Sequence, residues 1–276
     1  MLNFAIVGCG RIANKIVDGI ISNSKKAKLV AICDILEDKM DQIEKRYMEK
    51  TNIKNEIVKN SNYKELLGKV KVDVVIVSTE SGYHEEIGLY FLENRVNVII
   101  EKPIAMSIQG AQKLVDKAKE KKLKLAACHQ NRFNYPIQLL KKAIQENRLG
   151  KIFNGMARIL WTRDDNYYLQ APWRGTWALD GGTLMNQCIH NIDLINWMMD
   201  DEIDTVYSQT SNYIRNIEAE DYGVIIIRYK SGKIATIEGS AIIYPKNLEE
   251  TLTVTGEKGT VVIGGMAVNK INTWRV

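Results

Sequence analysis

The sequence predicts an α/β protein in two parts: a doubly wound parallel sheet, and a second α/β domain with an open, mainly antiparallel sheet. Up to about residue 130, apolar strands alternate with helices, as in a parallel sheet covered on both faces. A glycine turn directly follows the first strand. Beyond residue 150, long strands joined by hairpin turns replace the alternation. We therefore expect one domain over residues 1–130 and another over residues 131–276.

The first strand, Leu2–Val7, runs into a turn of sequence Gly-Cys-Gly-Arg-Ile-Ala at residues 8–13, and a helical pattern follows. Strand, glycine turn and helix in this order are typical of a Rossmann dinucleotide site. Glycine lets the backbone approach a pyrophosphate closely, and the helix N-terminus supplies N–H donors. The residues predicted to contact the cofactor in this turn are Gly8, Cys9, Gly10, Arg11 and Ile12.

The second strand, at residues 28–33, ends in Asp34. This is close to the spacing expected for the acid that hydrogen-bonds the adenosine ribose. A carboxylate there repels a 2′-phosphate, so the sequence favours NAD over NADP. An alternative role for Asp34, as the N-cap of a helix over residues 35–50, is compatible with this one.

A buried strand at residues 73–77 leads into a polar loop, which contains Ser78 and Thr79 and ends at His84. Loops at this edge of a parallel sheet bind ligands, so we predict that these three residues contact the cofactor. His84 has two interpretations. It approaches the nicotinamide side of the pocket, or it is a structural histidine near the start of a helix.

The next apolar strand, at residues 96–100, is followed by Glu101, Lys102 and Pro103. Lys102 therefore lies at the C-terminal edge of a strand, and the proline holds the lysine backbone in an extended conformation. A lysine fixed in this way can take part in chemistry, whereas the alternative is an ordinary solvated lysine. We also predict a cis peptide bond between Lys102 and Pro103.

The remaining elements follow from local patterns. Ser107 is predicted to cap a helix, and a last parallel strand is expected at residues 124–128. The predicted elements of the second half are a helix at 136–147, and strands at 152–163, 205–214, 222–229, 234–244, 251–255 and 260–263.

Residues 166–177 form an aromatic, polar segment that is predicted to be a loop. Tyrosine, tryptophan and arginine side chains can stack on a sugar or base and pair with a carboxylate or phosphate. An alternative is an aromatic plug between the domains. The residues predicted to bind substrate are Tyr168, Trp173 and Arg174 in this segment and Arg163 just before it.

A helix is predicted from residue 183 to about residue 199. Its apolar stripe contains Leu184, Cys188, Ile192, Ile195 and Met199. Asn186, His190 and Asp193 follow a spacing of i, i+4 and i+7 on the opposite side. Because His190 lies on the polar side, beside an asparagine and an aspartate, we predict that it transfers a proton.

The net charge and the positions of the cysteines argue against a nucleic-acid partner and a metal site. The net charge of +5 is mild, and the one dense basic run, at residues 117–124, is typical of a solvated helix face, so no nucleic-acid partner is expected. The four cysteines are far apart and lack metal-ligand spacing, so no metal is expected. With no membrane span and no leader in the sequence, we expect a cytoplasmic protein.

These motifs together resemble the Gfo/Idh/MocA oxidoreductases almost from end to end. The resemblance rests on the glycine turn, Glu101-Lys102-Pro103, residues 130–133, and the run from Gly181 to His190. It implies an NAD(P)-binding Rossmann domain joined to an α/β domain whose open sheet faces the substrate and builds dimers or tetramers. It also implies catalytic roles for Lys102 and His190, and cofactor contacts for Glu101, Lys102 and Gln130. The carboxylate that the family usually has four residues before the histidine is Asn186 here.

Within the family, residues 173–177 and 180–182, and Asn186-Gln187 with His190, look like the UDP-N-acetylglucosaminuronate 3-dehydrogenases of bacterial surface amino-sugar biosynthesis. Two features depart from the family pattern. Glu80 stands where a proline is common, and the chain ends at residue 276 without the usual C-terminal helical segment. We expect from this that either the sequence is shortened or the natural chain is truncated.

The resemblance therefore implies that NAD accepts a hydride from the 3-position of a UDP-linked N-acetyl-hexosaminuronic acid. His190 would be the base and Lys102 the cation that binds the reacting oxygen, although these roles can be exchanged. Arg163 and Arg174 would bind the sugar carboxylate or the diphosphate, and Lys102, Asn186 and His190 would also contact the substrate. The alternatives are a dehydrogenase of a free sugar or inositol, and a catalytically silent NAD-binding protein.

Overall fold

The computed structural model describes residues 1–51 and 56–276. The chain forms two compact units, residues 1–128 and residues 129–276. Part of the polar stretch that the sequence shows at residues 51–62 lies outside the described residues.

The first unit is a parallel sheet with helices on both faces. Its strands are β1 Leu2–Val7, β2 Ala27–Cys33, β3 Val58–Asn60, β4 Val74–Val77, β5 Asn97–Ile100 and β6 Leu125–Ala127. Its helices are α1 Ala13–Ser22, α2 Glu37–Thr51, α3 His84–Glu93 and α4 Ile108–Lys121. The strand order is β3-β2-β1-β4-β5-β6, and every pairing is parallel. This is the order of a dinucleotide-binding Rossmann sheet, which confirms the predicted fold class.

Apolar side chains alternate between the two faces of this sheet. In β1, Ala5 and Val7 belong to one hydrophobic core and Ile6 to the other. The strand β4 has the sequence Val-Val-Ile-Val and is buried throughout, as expected where helices cover both faces. The predicted cap is confirmed: Ser107 Oγ accepts a hydrogen bond from Gly110 N at 2.9 Å, at the start of α4.

The second unit has a seven-stranded sheet with helices on one face. Its strands are β7 Ile152–Leu160, β8 Ile203–Ser211, β9 Tyr222–Tyr229, β10 Ile234–Ser240, β11 Glu249–Gly256, β12 Gly259–Gly264 and β13 Lys270–Arg275. Its helices are α5 Tyr135–Gln145, α6 Asp165–Leu169, α7 Gly182–Asn186 and α8 Ile189–Met199. The strand order is β13-β12-β11-β7-β10-β9-β8, in which β7 and β10 are parallel and the other neighbours are antiparallel. The mainly antiparallel sheet is also as predicted.

The prediction of one continuous helix over residues 183–199 is wrong. The Thr183 carbonyl accepts hydrogen bonds from both Gln187 N, at 2.9 Å, and Cys188 N, at 3.0 Å, which ends α7. The helix α8 then begins at Ile189. The predicted apolar stripe survives this break, because Cys188, Ile195 and Met199 are buried in the core of the unit.

Candidate active site

The glycine turn is packed against the end of β4. Gly8 has φ +95°, and a Cβ atom there would lie 2.5 Å from the Ser78 carbonyl carbon, so only glycine fits. The buried Ser78 hydroxyl donates to the Gly8 carbonyl at 2.7 Å. A Cβ atom on Gly10 would meet no atom within 4 Å, so open space lies beside the turn. A phosphate group can therefore approach the backbone at Gly10.

Asp34 is oriented by backbone donors on two sides. Its Oδ2 accepts from Cys9 N at 2.6 Å, and its Oδ1 accepts from Leu36 N at 2.9 Å. The helix α2 begins later than predicted, at Glu37, so Asp34 does not cap it. The bond from Leu36 N to Asp34 Oδ1 instead closes a short turn before the helix. The bond to Cys9 links the carboxylate to the glycine turn. In a Rossmann site, an acid at the end of this strand binds the ribose.

The N-terminus of α1 fits an anionic ligand. Ile12 precedes the helix without any side-chain capping bond, and the first turn contains no acidic residue. The backbone N–H groups and the positive end of the helix dipole therefore meet neither a capping side chain of Ile12 nor an acidic residue of the first turn. The open space at Gly10, the oriented Asp34 and this helix end together fit the pyrophosphate and ribose of NAD. Arg11, the residue between Gly10 and Ile12, is exposed to solvent.

Lys102 lies just beyond the C-terminal end of β5, as predicted. Glu101 N donates to the Val77 carbonyl at 2.9 Å, which extends the pairing with β4 by one residue. The Lys102–Pro103 peptide bond is cis, which confirms that prediction. Lys102 N donates to its neighbour Glu101 Oε2 at 3.3 Å. Glu101, beside Lys102, is partly buried, and this burial raises the pKa of its carboxyl above the usual value.

His84 is buried at the start of α3, with 1% of its surface exposed. Its Nδ1 lies 2.7 Å from the Pro103 carbonyl oxygen, and its Nε2 lies 3.2 Å from the Thr79 carbonyl oxygen. Of the two interpretations of His84, these contacts favour the structural one. A direct contact between its ring and a cofactor stays a prediction.

In the second unit, His190 lies among polar side chains. Gln130 Nε2 is 3.2 Å from His190 Nε2, and the His129 ring stands edge-on to the His190 ring with centroids 5.7 Å apart. His129 Nδ1 lies 3.6 Å from Asp193 Oδ2. The amide of Gln130 can thus set the orientation of the imidazole. The sequence singled out His190 and Asp193 but not the neighbouring His129.

Asn186 contacts a buried carboxylate, Asp180, that was not among the predicted site residues. Its Nδ2 donates to Asp180 Oδ1, and Asp180 Oδ2 accepts from Gly175 N at 2.7 Å. Asp180 is 2% exposed. The one signal in the sequence was its place before two glycines, of which Gly182 has φ +82° and would bring a Cβ atom within 2.0 Å of Glu220. An acid thus lies beside Asn186, although the residue at position 186 is not itself an acid.

The predicted substrate-binding arginines stack on aromatic rings. The guanidinium of Arg163 lies 4.7 Å from the centre of the Trp161 ring and 5.3 Å from that of Tyr167. Arg174 lies 4.3 Å from the centre of the same Tyr167 ring and 4.6 Å from that of Trp173. Within residues 1–51 and 56–276, neither guanidinium forms an ion pair with a carboxylate. Two positive charges beside one tyrosine therefore form a place where an anion can bind.

Tyr168 follows Tyr167 directly and is partly buried. Burial raises the pKa of its phenol to about 12, so the hydroxyl keeps its proton at neutral pH. It therefore offers a hydrogen-bond donor and not a base.

The structure shows neither a metal cluster nor a membrane helix in the part of the chain that it describes. In that part, no three His, Cys, Asp or Glu side chains are grouped closely enough to hold a metal ion. None of its helices is long and apolar enough to cross a bilayer.

Comparisons with protein families match nearly the whole chain. Residues 2–129 match an oxidoreductase family model described as an NAD-binding Rossmann fold. Residues 137–262 match the GFO/IDH/MocA C-terminal domain. Together the two models assign an oxidoreductase made of both of the units described above.

Two solved structures are similar to this chain over 99% of its length. The WlbA dehydrogenase from Chromobacterium violaceum, in complex with NADH and UDP-GlcNAcA, is 36% identical with a TM-score of 0.92, and 77% of that chain is covered. The WlbA dehydrogenase from Bordetella pertussis, also with NADH and UDP-GlcNAcA, is 35% identical with a TM-score of 0.91, and 79% of it is covered.

A relative that acts on an inositol has a lower sequence identity to this chain. The myo-inositol 2-dehydrogenase of Thermotoga maritima is 25% identical over an alignment 275 residues long, and the alignment covers 94% of this chain and 74% of that protein. All three of these proteins are dehydrogenases, and the two solved structures contain NADH and UDP-GlcNAcA.

Proposed function

This chain belongs to the Gfo/Idh/MocA family of oxidoreductases, and from that premise we propose that it oxidises the 3-hydroxyl of a UDP-N-acetyl-hexosaminuronic acid. It is an NAD-dependent enzyme that acts on CH–OH groups, which sets aside the alternative of a silent NAD-binding protein. The product of the proposed reaction is the 3-keto sugar, and the proposed role is in surface amino-sugar biosynthesis.

The reaction requires a base and a positive charge, because a sugar hydroxyl does not lose its proton unaided at neutral pH. NAD, when bound, supplies the hydride acceptor. We assign the base to His190, whose Nε2 faces the Gln130 amide. We assign the positive charge to Lys102, which lies beyond the end of β5 and donates a hydrogen bond to the reacting oxygen.

The assignment of an acidic, nucleotide-linked sugar rests on Arg163 and Arg174. Both guanidiniums are held on the Tyr167 ring, and neither is neutralised by a carboxylate of the described residues. A planar guanidinium pairs with a carboxylate or a phosphate through two hydrogen bonds. The rings of Trp161 and Trp173 give each guanidinium a second aromatic contact, which limits its rotation before substrate binds. This pair of uncompensated charges is the observation that carries the proposal.

NADH absorbance with three substrates tests this assignment. We expect turnover with UDP-N-acetylglucosaminuronate, at least about tenfold less with the uncharged UDP-N-acetylglucosamine, and none with inositol. Arg163→Met and Arg174→Met should narrow the gap between the first two substrates. Arg148→Met, at an exposed arginine that also lies over an aromatic ring, that of Trp274, is the matched control. Rapid turnover of inositol or a free sugar, without turnover of either UDP-sugar, would establish the alternative function.

We also propose a homodimer or homotetramer formed through the open face of the second sheet. The helices α5 and α8 cover one face, whereas Tyr207, Ile226 and Met156 are 62%, 43% and 46% exposed on the other. Tyr207 pairs with Ile226, which pairs with Thr236, which pairs with Met156, so these side chains form a row across four strands. An exposed apolar row of this kind is typical of an interaction surface.

Light scattering after gel filtration measures the oligomer directly. We expect a dimer or tetramer for the wild type and a monomer for the Met156→Glu, Ile226→Glu double variant. Lys142→Glu, on the exposed side of α5, should leave the mass unchanged. A monomeric wild type would rule out this interface.

A further inference from the structure

His84 joins the segments that follow two adjacent strands. Its Nδ1 faces the Pro103 carbonyl at 2.7 Å and its Nε2 faces the Thr79 carbonyl at 3.2 Å. These carbonyls come after β5 and β4, which pair in parallel up to Val77 and Ile100. The imidazole thus spans the sheet edge at which Lys102 lies.

The ring can donate to only one of these carbonyls when it is neutral. Burial lowers the pKa of His84 by more than the contacts with the Pro103 and Thr79 carbonyls raise it, so the ring is neutral at neutral pH. We assign its proton to Nδ1, because the contact with Pro103 is the shorter one. The donor therefore holds the residue that directly follows Lys102.

The backbone before Lys102 is already held by the sheet. Glu101 N donates to the Val77 carbonyl at 2.9 Å, and Cys128 N donates to the Ile100 carbonyl at 2.8 Å. The residue after Lys102 is Pro103, which has no backbone N–H. Its main chain can therefore be held by a hydrogen bond only at the carbonyl. A hydrogen bond to that carbonyl therefore fixes the second end of the Lys102 backbone.

We propose that His84 is a positioning residue for Lys102: its Nδ1–H fixes the Pro103 carbonyl and so sets the direction of the lysine ammonium. The ring itself does not contact the reacting atoms. This role rests on the proposed function in that Lys102 is the group being positioned.

Replacing His84 by asparagine or by glutamine distinguishes this hydrogen-bonding role from a role in packing alone. Asparagine places an N–H donor near the position of Nδ1, and glutamine places one near that of Nε2. We expect His84→Asn to keep kcat within about threefold of the wild type, and His84→Gln and His84→Leu to lower it by about ten- to a hundredfold. The KM for NAD should change less than kcat in all three. Equal losses in the asparagine and glutamine variants, at equal melting temperature, would overturn the proposal.

A second readout needs neither NAD nor sugar. Mass spectrometry can follow acetylation of Lys102 relative to the exposed Lys142 in the same protein. Release of the Pro103 carbonyl should speed labelling of Lys102 by about fivefold in His84→Gln and His84→Leu, but not in His84→Asn. If the proposed substrate is wrong, this result is unaffected. Unchanged labelling in the glutamine and leucine variants would contradict the positioning role alone.

The wild-type protein gives a test that does not depend on variants folding. The chain contains three histidines, so nitrogen-15 spectra of labelled histidine resolve each tautomer. We expect the His84 proton on Nδ1 at neutral pH. A proton on Nε2, with Nδ1 unprotonated, would overturn the proposal, because the Pro103 carbonyl would then have no donor from His84.

Discussion

Arg132 holds Asp193 through a bidentate ion pair, with Nε 2.6 Å from Oδ2 and Nη2 2.5 Å from Oδ1. The same guanidinium lies 4.9 Å from the centre of the Trp197 ring, so it is fixed from two sides. The pair ties the segment after β6 to the polar side of α8. Because the charge of Asp193 is neutralised, we assign proton transfer on this helix to His190 and give Asp193 a structural role.

The first prediction compares His190 with Asp193. His190→Asn should lower kcat by about 10²–10⁴ without changing the melting temperature, because it removes the base. Asp193→Asn should instead cost about 2 kcal/mol of stability and change kcat less than tenfold, since it breaks the pair with Arg132. Steady-state kinetics and thermal unfolding measure both effects. The reverse result would make Asp193 the functional acid of this helix.

The second prediction concerns Lys102. Lys102→Met should lower kcat by about 10²–10³ and leave the affinity for NADH within about threefold, because the ammonium stabilises charge that develops on the reacting oxygen. Lys113→Met, at an exposed lysine that pairs with Glu85, is the control. If Lys102→Met abolished the acidic limb of the pH profile and His190→Asn did not, the two roles would be exchanged.

The third prediction concerns cofactor choice. Asp34→Asn keeps an acceptor for a backbone N–H but removes the charge that repels a 2′-phosphate. We expect the kcat/KM ratio of NAD to NADP to fall by about tenfold or more. Asp38→Asn, in the first turn of α2, should leave the ratio unchanged. An unchanged ratio in Asp34→Asn would show that Asp34 does not determine the preference.

The fourth prediction concerns stability and pH. Glu250 is 5% exposed on β11, and burial raises its pKa from 4.5 to about 7, partly opposed by the Asn191 side chain. Between about pH 4.5 and 7 the unfolded chain releases this proton while the folded chain keeps it. The free energy of unfolding therefore falls with rising pH over this window, by about 3 kcal/mol in total.

Glu250→Gln should remove that loss, so the variant becomes more stable than the wild type at pH 8 and not at pH 4. Urea unfolding at a series of pH values measures the difference. Glu249→Gln is the matched control, because Glu249 pairs with Arg158 at 3.0 Å and its replacement should destabilise the protein at pH 8. Parallel pH profiles for Glu250→Gln and the wild type would contradict the prediction.

Sequence patterns predicted those features of the fold that depend on residues close together in the sequence. The Ser107 cap, the glycine turn and the cis bond before Pro103 are all set within a few residues. The strands β3 and β13 were not predicted, because each is defined by its pairing at a sheet edge and not by a strong apolar pattern. The break before α8 was missed for a related reason, since the apolar spacing continues through it.

In the candidate site, the functional residues themselves were easier to predict than the residues to which they hydrogen-bond. Lys102 and His190 stand out in the sequence by their place in a pattern. The pairs of Asn186 with Asp180 and of Arg132 with Asp193 depend on tertiary contacts, and no local pattern contains them. His84 shows the same limit, because only its contacts separate a structural ring from one that faces the cofactor.

The central claim is that hydride leaves C3 of a UDP-linked hexosaminuronate, and transfer of deuterium tests it most directly. The enzyme would be mixed with NAD and UDP-N-acetylglucosaminuronate that carries deuterium at C3, and the NADH analysed by mass spectrometry. We predict deuterium in the NADH and a 3-keto sugar as product. NADH that forms without deuterium, or no NADH from this substrate while inositol is oxidised, would contradict the claim.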